Sequence, residues 1–497
     1  MVSYTKRAIK GAAIVFIMGI LAAFLGYLLR LLLVRNISQV DYGLFYSVLT
    51  LTLFFEFFKD LGLGASLTKF IAEFKVKKRF DLIKSSIISV FLLQLLSVTV
   101  ISILLVIFSD FLASSFFHNM AASLILKLLA ASFWLTTFFD IFVYSFLGFQ
   151  KMFYFSTLNP VKMFLILAMS FIFLKLGLGI MSPVLAYLIV YLIILAIYFP
   201  ILTKKVFPLF FKEKFSFQKR LIKKLVDFGL PVMLSRGGGM LMLYTDTLFL
   251  TYFSGLTAVA LYNVAMPTAR LLTYFHVALG AVIFPLSSEL WVKNHKEHLK
   301  QGIEQVYKYT FMTVMPLALV MFSFPQIIIR ALFQESYVPA STTLQILSLA
   351  MLISVITGIN SAVLHGIGKP KINTKITIAA ASLNVALNLI LVPHYGTVGA
   401  AVATLLSISL MLVLGTANIG NFIPVKIPLA NWSKNLFIGM VFLALIYYLK
   451  KIIVLNVWLE MFIVVFIAGL AYTILLFALK LVKPEEIKEI IIRFQKG

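Results

Sequence analysis

Long apolar runs, broken at intervals of roughly 20–30 residues by short polar clusters, extend over almost the whole chain. None shows the alternation of a half-buried strand, and a chain in hydrocarbon must satisfy its backbone internally, so the runs read as membrane-crossing helices. About fourteen such spans are predicted, near 11–34, 42–68, 84–109, 122–147, 156–176, 180–203, 226–252, 257–290, 304–331, 340–365, 373–393, 396–420, 432–450 and 455–480. The basic-flanked first run, "KRAIKGAAIVFIMGILAAFLGYLLR", has no small-residue cleavage site and is too long for a signal peptide, so it is read as the first span. The expected fold is an all-α polytopic membrane protein.

Polar residues between the spans alternate in charge. Lysines and arginines cluster before span one and after spans two, six, eight and ten, whereas "YFSGLTA" and "SDFLASSFFHNMAA" have none. Both termini are therefore expected in the cytoplasm, with Arg35, Arg330, Lys450 and Lys451 as outer-side exceptions. The net charge of +25 belongs to these loops and points to anionic lipid, not nucleic acid. The longest loop, "TKKVFPLFFKEKFSFQKRLIKKLVDFG", reads as an interfacial linker on the inner leaflet, with recruitment of a partner enzyme as the alternative. The chain has no cysteine, which excludes disulfides and thiolate metal sites. No nucleotide-binding loop, metal pattern or soluble catalytic domain is present, so neither a cofactor, an ATP-driven pump nor an enzyme is expected.

The two sides of the linker repeat each other with a period of about 218 residues. "NMAASLILKLLAASFWLT" aligns with "YVPASTTLQILSLAMLIS"; Gly62, Gly148 and Lys151 meet Gly280, Gly366 and Lys369, and Gly177 meets Gly396 one residue out of phase. An even-span repeat keeps its orientation, the parallel arrangement in which transporters place a substrate path between halves. Two pseudo-symmetric six-helix lobes are expected, at 1–203 and 226–420. The basic linker fills 204–225, and 421–497 forms an extra helix pair with a cytoplasmic tail.

Six spans, a basic linker, six more and an extra pair resemble the multidrug/oligosaccharidyl-lipid/polysaccharide exporter superfamily. Within it the chain is most similar to the polysaccharide flippases of the O-antigen type. The resemblance rests on "ISQVDYGLFYSVLTL", "FKDLGLGASLTKFIAE", "GFQKMFYFSTLNP" and "YGTVGAAVATLLS" at the appropriate spans. It implies a V-shaped transporter that moves a lipid-linked oligosaccharide, on a polyprenyl phosphate or pyrophosphate, from the inner to the outer leaflet by alternating access. The multidrug branch often carries an acidic coupling residue in span one, and Gly11–Val34 contains no Asp or Glu. Multidrug/cation antiport is the alternative; it predicts a net-negative cavity, the flippase a net-positive one. The lipid II branch depends on cations in spans one, two and eight, where Arg30, Lys59 and Arg270 stand, but the surrounding motifs match less closely.

Ionisable residues inside spans are the candidate chemistry, because hydrocarbon penalises them. Glu56, Lys59 and Asp60 share one face of span two, read as either a self-neutralised cluster or a cavity wall. Asn263 and Arg270 share a face of span eight, with a kink predicted at Pro267 by its missing N–H and His276 further along. Span seven carries Arg236, the hinge candidates Gly237, Gly238 and Gly239, and Asp246. Arg236, Arg270, Lys59 and Asn263 are assigned to the substrate head group, since a guanidinium grips two phosphate oxygens. Glu56, Asp60, Asp246 and His276 are assigned to ion coupling (H+ or Na+) or charge tuning, and Pro267 joins the glycines as a hinge. Arg30 and Arg330 are expected to snorkel to the interface, and Asn384 and Asn388 to bond between helices. The implied partners are a lipid-linked oligosaccharide, membrane lipids and polysaccharide-assembly enzymes. The implied location is the cytoplasmic membrane of a prokaryote.

Overall fold

The computed structural model describes residues 2–425, 429–453 and 456–482. They are helical throughout, with no strand among the described residues. The order is α1 (Val2–Asn36), α2 (Gln39–Asp60), α3 (Leu63–Val76), α4 (Phe80–Ile107), α5 (Ser109–Ser115), α6 (Ala121–Gly148), α7 (Met152–Lys175), α8 (Met181–Pro200) and α9 (Lys219–Phe253). Then follow α10 (Gly255–Ala269), α11 (Tyr274–Val292), α12 (Lys296–Ser323), α13 (Pro325–Leu332), α14 (Ser341–Gly366), α15 (Pro370–Gly420), α16 (Leu429–Ile452) and α17 (Val457–Ala478). The predicted cytoplasmic tail lies outside the described residues.

Among the described residues, 12 helices are long and apolar enough to cross a membrane, two fewer than the spans predicted. One difference is α15, whose 51 residues hold predicted spans eleven and twelve in a single run bent at Gly396 (φ 51°, ψ −128°). Only glycine adopts that backbone without strain, which is why "HYGTVG" reads as a boundary. The other is α9, where Arg236, Asp246 and the glycines dilute the apolar character.

The chain packs as two compact units. The first runs to Asn263 and adds Val385–Thr397; the second holds Val264–Asn384 and continues from Val398. The first unit therefore contains the basic linker, where Lys84 Nζ donates to the Glu213 carbonyl (2.7 Å) and the Ser216 amide to Ser85 Oγ (3.1 Å). It also contains α9. Part of its core is Val98, Leu105, Ala130 and Phe133, from α4 and α6. In the second unit Tyr307, Ile359, Val363 and Leu364 join α12 to α14. The helix pair α16/α17 packs on α12 there: the Tyr472 hydroxyl bonds the Met312 carbonyl (3.0 Å) and Asn435 Oδ1 (2.7 Å).

The repeat is visible in local geometry. A Cβ on Gly148 would stand 2.8 Å from Ile71 Cβ, and one on its counterpart Gly366 2.7 Å from Ser287 Cβ. Each glycine lets the end of one helix cross close to an earlier helix of its own unit.

"ISQVDYG" carries its own helix start. The Asp41 amide donates to Ser38 Oγ (3.1 Å), and Ser38 Oγ donates back to Asp41 Oδ2 (2.8 Å). "KDLGLG" carries the end of α2: Leu61 and Gly62 turn left-handed (φ 49° and 71°) before α3 begins. Gly62 also touches α9, since a Cβ there would lie 2.0 Å from the Gly229 carbonyl oxygen. Ser66 Oγ donates to the Leu225 carbonyl (2.7 Å) one turn away. These contacts set how α2 and α9 face one another.

Gly62→Ala should therefore lose at least about 2 kcal/mol of stability, from steric overlap and the left-handed backbone together. Gly302→Ala, where a Cβ meets nothing within 4 Å, should change it by less than about 1 kcal/mol. Thermal unfolding of the two variants in detergent checks the difference.

Candidate functional site

The residues of span two form a charged cluster with α6. Lys59 is fully buried, and its ammonium donates to Thr136 Oγ1 (2.7 Å) while pairing with Glu56 Oε1 (3.2 Å) and Asp140 Oδ2 (2.8 Å). A buried ammonium is costly, and two carboxylates with a hydroxyl supply the compensation. Asp60 Oδ1 accepts from the Gly64 amide (3.0 Å) and from Gln94 Nε2 (2.8 Å). Lys162 of α7 lies over the Phe139 ring (4.4 Å) and acts on the charges of Glu56 and Asp140. The two readings of span two thus divide between its residues: Lys59 is the self-neutralised centre, and Glu56 and Asp60 form a cavity wall.

That cavity, about 190 Å³, lies between α2, α6 and α9 and includes Glu56, Asp60, Asp140, Tyr144 and Arg236 in its lining. Arg236 is exposed to it, beside Tyr144 and Asp60. The cavity is not net positive. Three carboxylates face one guanidinium on its wall, and Lys59 and Lys162 behind bring the cluster to balance. Helix α9 runs unbroken through Gly237–Gly239, and a Cβ on Gly237 or Gly239 would meet nothing within 4 Å.

Asp246, further along α9, is 2% exposed. Its Oδ1 accepts from Asn388 Nδ2 (2.8 Å) and its Oδ2 from the Tyr262 hydroxyl. Asn388 thus bonds between helices, as expected of it. Asn263 Nδ2 donates to the Val259 carbonyl of its own helix (3.1 Å). The Asn263 carbonyl, four residues before Pro267, has no N–H to accept from there, and Arg30 Nη1 supplies the bond instead (3.0 Å). Arg30 does not snorkel: its guanidinium lies 4.2 Å over the Tyr46 ring and reaches Tyr42 Oη at 3.5 Å. Among the described residues no carboxylate pairs with it. Arg330 keeps an outward pairing with Glu335.

In the second unit, α10 passes into a 3-10 turn, Arg270–Thr273, three residues after Pro267. Arg270 is half-buried there. His276 packs against Gly358, where a Cβ would stand 2.4 Å from its Cδ2.

One cavity thus joins Glu56, Asp60 and Arg236, with Lys59 behind its wall. Asn263 and Asp246 take part in other contacts of the same unit, and Arg270 and His276 belong to the second. Lys162 was missed although an ionisable residue within "NPVKMFLILAMS" is a signal of the same kind as Lys59. Thr136, Tyr144 and Gln94 carry no such signal.

Lys59→Met should destabilise the protein by about 3–5 kcal/mol, because two half-buried carboxylates lose their shared cation. Adding Asp140→Asn should restore part of that loss. A thermal-unfolding double-mutant cycle measures the coupling.

Comparison with known proteins places this arrangement. The family model described as polysaccharide biosynthesis protein matches residues 8–291, and the MatE model matches residues 231–390. The chain is 33% identical to the uncharacterized membrane protein MJ1068 of Methanocaldococcus jannaschii, over 99% of this chain and 100% of that one. It is 24% identical to the probable low-salt glycan biosynthesis flippase Agl15 of Haloferax volcanii, over 50% of this chain and 53% of the relative. Its fold is similar to that of the lipid II flippase MurJ in an inward closed conformation, with TM-score 0.75 and 16% identity over 92% of this chain and 97% of that one. With a family match over more than half of an all-helical membrane chain, this chain belongs to the polysaccharide biosynthesis protein family, in the polysaccharide-flippase branch of the superfamily that also holds MatE.

Proposed function

We propose that the protein moves a lipid-linked oligosaccharide from the inner to the outer leaflet of a prokaryotic cytoplasmic membrane by alternating access, with both termini inside. The observation that carries this reading is Arg236, a guanidinium exposed to a polar cavity midway along α9. Helix-borne charge at membrane depth is retained for function or for a partner. Here the permanent partners of the carboxylates are already supplied by Lys59, Gln94 and a backbone amide. Arg236 is left to take a phosphate, and Arg270 and Asn263, further along the same repeat lobe, are assigned to the same head group. Arg30, whose charge no described carboxylate neutralises, joins them.

Lys59 then acts by holding Glu56 and Asp140 in place, not by touching substrate. Glu56, Asp60 and Asp140 accept bonds from sugar hydroxyls or respond to H+ or Na+, as do Asp246 and His276 in their own settings. Gly237–Gly239 and Pro267 absorb bending as the lobes, 1–203 and 226–420, alternate. An anionic head leaving the cell is favoured by an inside-negative potential, by about 2.3 kcal/mol per charge per 100 mV. Electrogenic drive without a coupled ion is thus one route for export, and coupling to H+ or Na+ the other. The names of the relatives, a glycan flippase and a lipid II flippase, support the same reading. The basic linker lies along the inner leaflet, with recruitment of polysaccharide-assembly enzymes as its alternative role.

A second reading, cation antiport, is favoured by the three carboxylates on the cavity wall and by the MatE match. Proteoliposomes separate the two. Under the flippase reading, wild type translocates a fluorescent lipid-linked oligosaccharide. Arg236→Ala should lower the rate at least tenfold, about 1.4 kcal/mol in the barrier, with unchanged thermal unfolding. Efflux of an organic cation under an ion gradient, without lipid movement, would establish the antiporter instead.

A further inference from the structure

The contact between α2 and α9 has two sides, and they differ in chemistry. On one side lies the charged cavity already described. On the other lies a second cavity of about 190 Å³, whose lining is wholly apolar. On α9 the charged side takes Arg236 and Tyr244, while the apolar side takes Leu234, Gly237 and Leu241. These are neighbouring stripes of one helix, each at helical spacing. Helix α2 divides in the same way, Glu56 and Asp60 on one stripe and Phe54 and Phe58 on the other. Phe57, Met233 and Met240 line both cavities and form the ridge between them.

We propose that this crevice holds one phosphate-linked polyprenyl lipid across the ridge. The phosphate-proximal end of its isoprenoid chain lies in the apolar cavity, with the remainder in the bilayer, its phosphate at Arg236 and its first sugar among the carboxylates. The inference deepens the flippase reading and rests on it. Three features fit this occupant. Each cavity alone falls below the roughly 300 Å³ at which ligand pockets begin, whereas the two together reach that range. The ridge has two methionines, whose unbranched side chains move aside readily. Arg236 is one residue from Gly237, so the guanidinium stands where charge must sit on a molecule polar on one side and apolar on the other.

The placement also accounts for Gly237. Its absent side chain would point at nothing within 4 Å, and the residue lines the apolar cavity. Glycine here leaves space open instead of allowing helices to touch. Phe58 and Leu234, 40% and 67% exposed, form the crevice's outer lip, through which a chain enters from the bilayer.

The test uses the full chain in phosphatidylglycerol nanodiscs, with p-benzoyl-phenylalanine in place of Leu234 or, as a lipid-facing reference, of Leu96, which is 64% exposed on α4. Tritiated undecaprenyl monophosphate, carrying no sugar, is the probe. Labelling at 234 should exceed that at 96 by at least about fivefold. Gly237→Leu adds a side chain where a Cβ meets nothing within 4 Å and favours the helix, so it should cut labelling at 234 to the reference level without lowering the thermal-unfolding midpoint. Tritiated phosphatidylglycerol should label both positions alike. The proposal is overturned if phosphatidylglycerol labels 234 as selectively as the polyprenyl phosphate does, or if Gly237→Leu changes nothing. Translocation of the sugar-bearing lipid is measured in parallel. With Gly237 intact, normal translocation with reference-level labelling at 234 rejects the crevice and leaves the flippase reading standing. Absence of both rejects the two together.

Discussion

A lysine buried between two carboxylates organises the first unit. Lys59 cannot leave its charge in water, because its side chain is fully enclosed, and it cannot lose a partner without leaving an uncompensated ion at membrane depth. Glu56 comes from its own helix and Asp140 from α6, so the pair ties two helices at a fixed register. The same arrangement aims the carboxylates at the cavity with their outer faces still open. Asp60, one residue on, is bound by a different set, the Gly64 amide and Gln94, so the wall does not depend on a single cation.

The second organising contact is backbone on backbone. Gly62 and Gly229 let the α2–α3 break press against α9, and no larger residue fits. That approach places Arg236 two turns beyond Gly229 opposite the carboxylates, and leaves a crevice with a charged side and an apolar one. A flippase substrate has the same division. A proline supplies the third element: Pro267 frees the Asn263 carbonyl, and Arg30 answers it from α1 while resting on Tyr46. Arginine, with several donors and a flat cation, can do both at once.

Much of this is legible in the residues. Apolar run length gives the helices, and "HYGTVG" gives the bend in α15 because glycine alone takes that backbone freely. The repeat is legible too, since Gly148 and Gly366 answer the same steric demand. The Glu56–Lys59–Asp60 spacing announces a shared helix face. It does not announce which member is enclosed, and Lys59 read as a phosphate ligand is instead spent on carboxylates. Arg30 misled in the opposite direction. Its position near a span end suits snorkelling, and only the freed carbonyl and the Tyr46 ring turn it inward.

The residue pattern alone suffices for the helical membrane class, the pseudo-repeat, the branch of transporters the chain resembles and the set of intramembrane charges. Each of these depends on composition, period or a residue's own backbone limits, all local quantities. Tertiary structure alone decided which charges meet. Asp140 lies eighty residues or so from Lys59 in the chain, and Arg236 further still from Asp60, so their partnership depends on helix packing that no local pattern encodes. The crevice is of the same kind, because its two sides exist only once α2 and α9 are pressed together at Gly62 and Gly229.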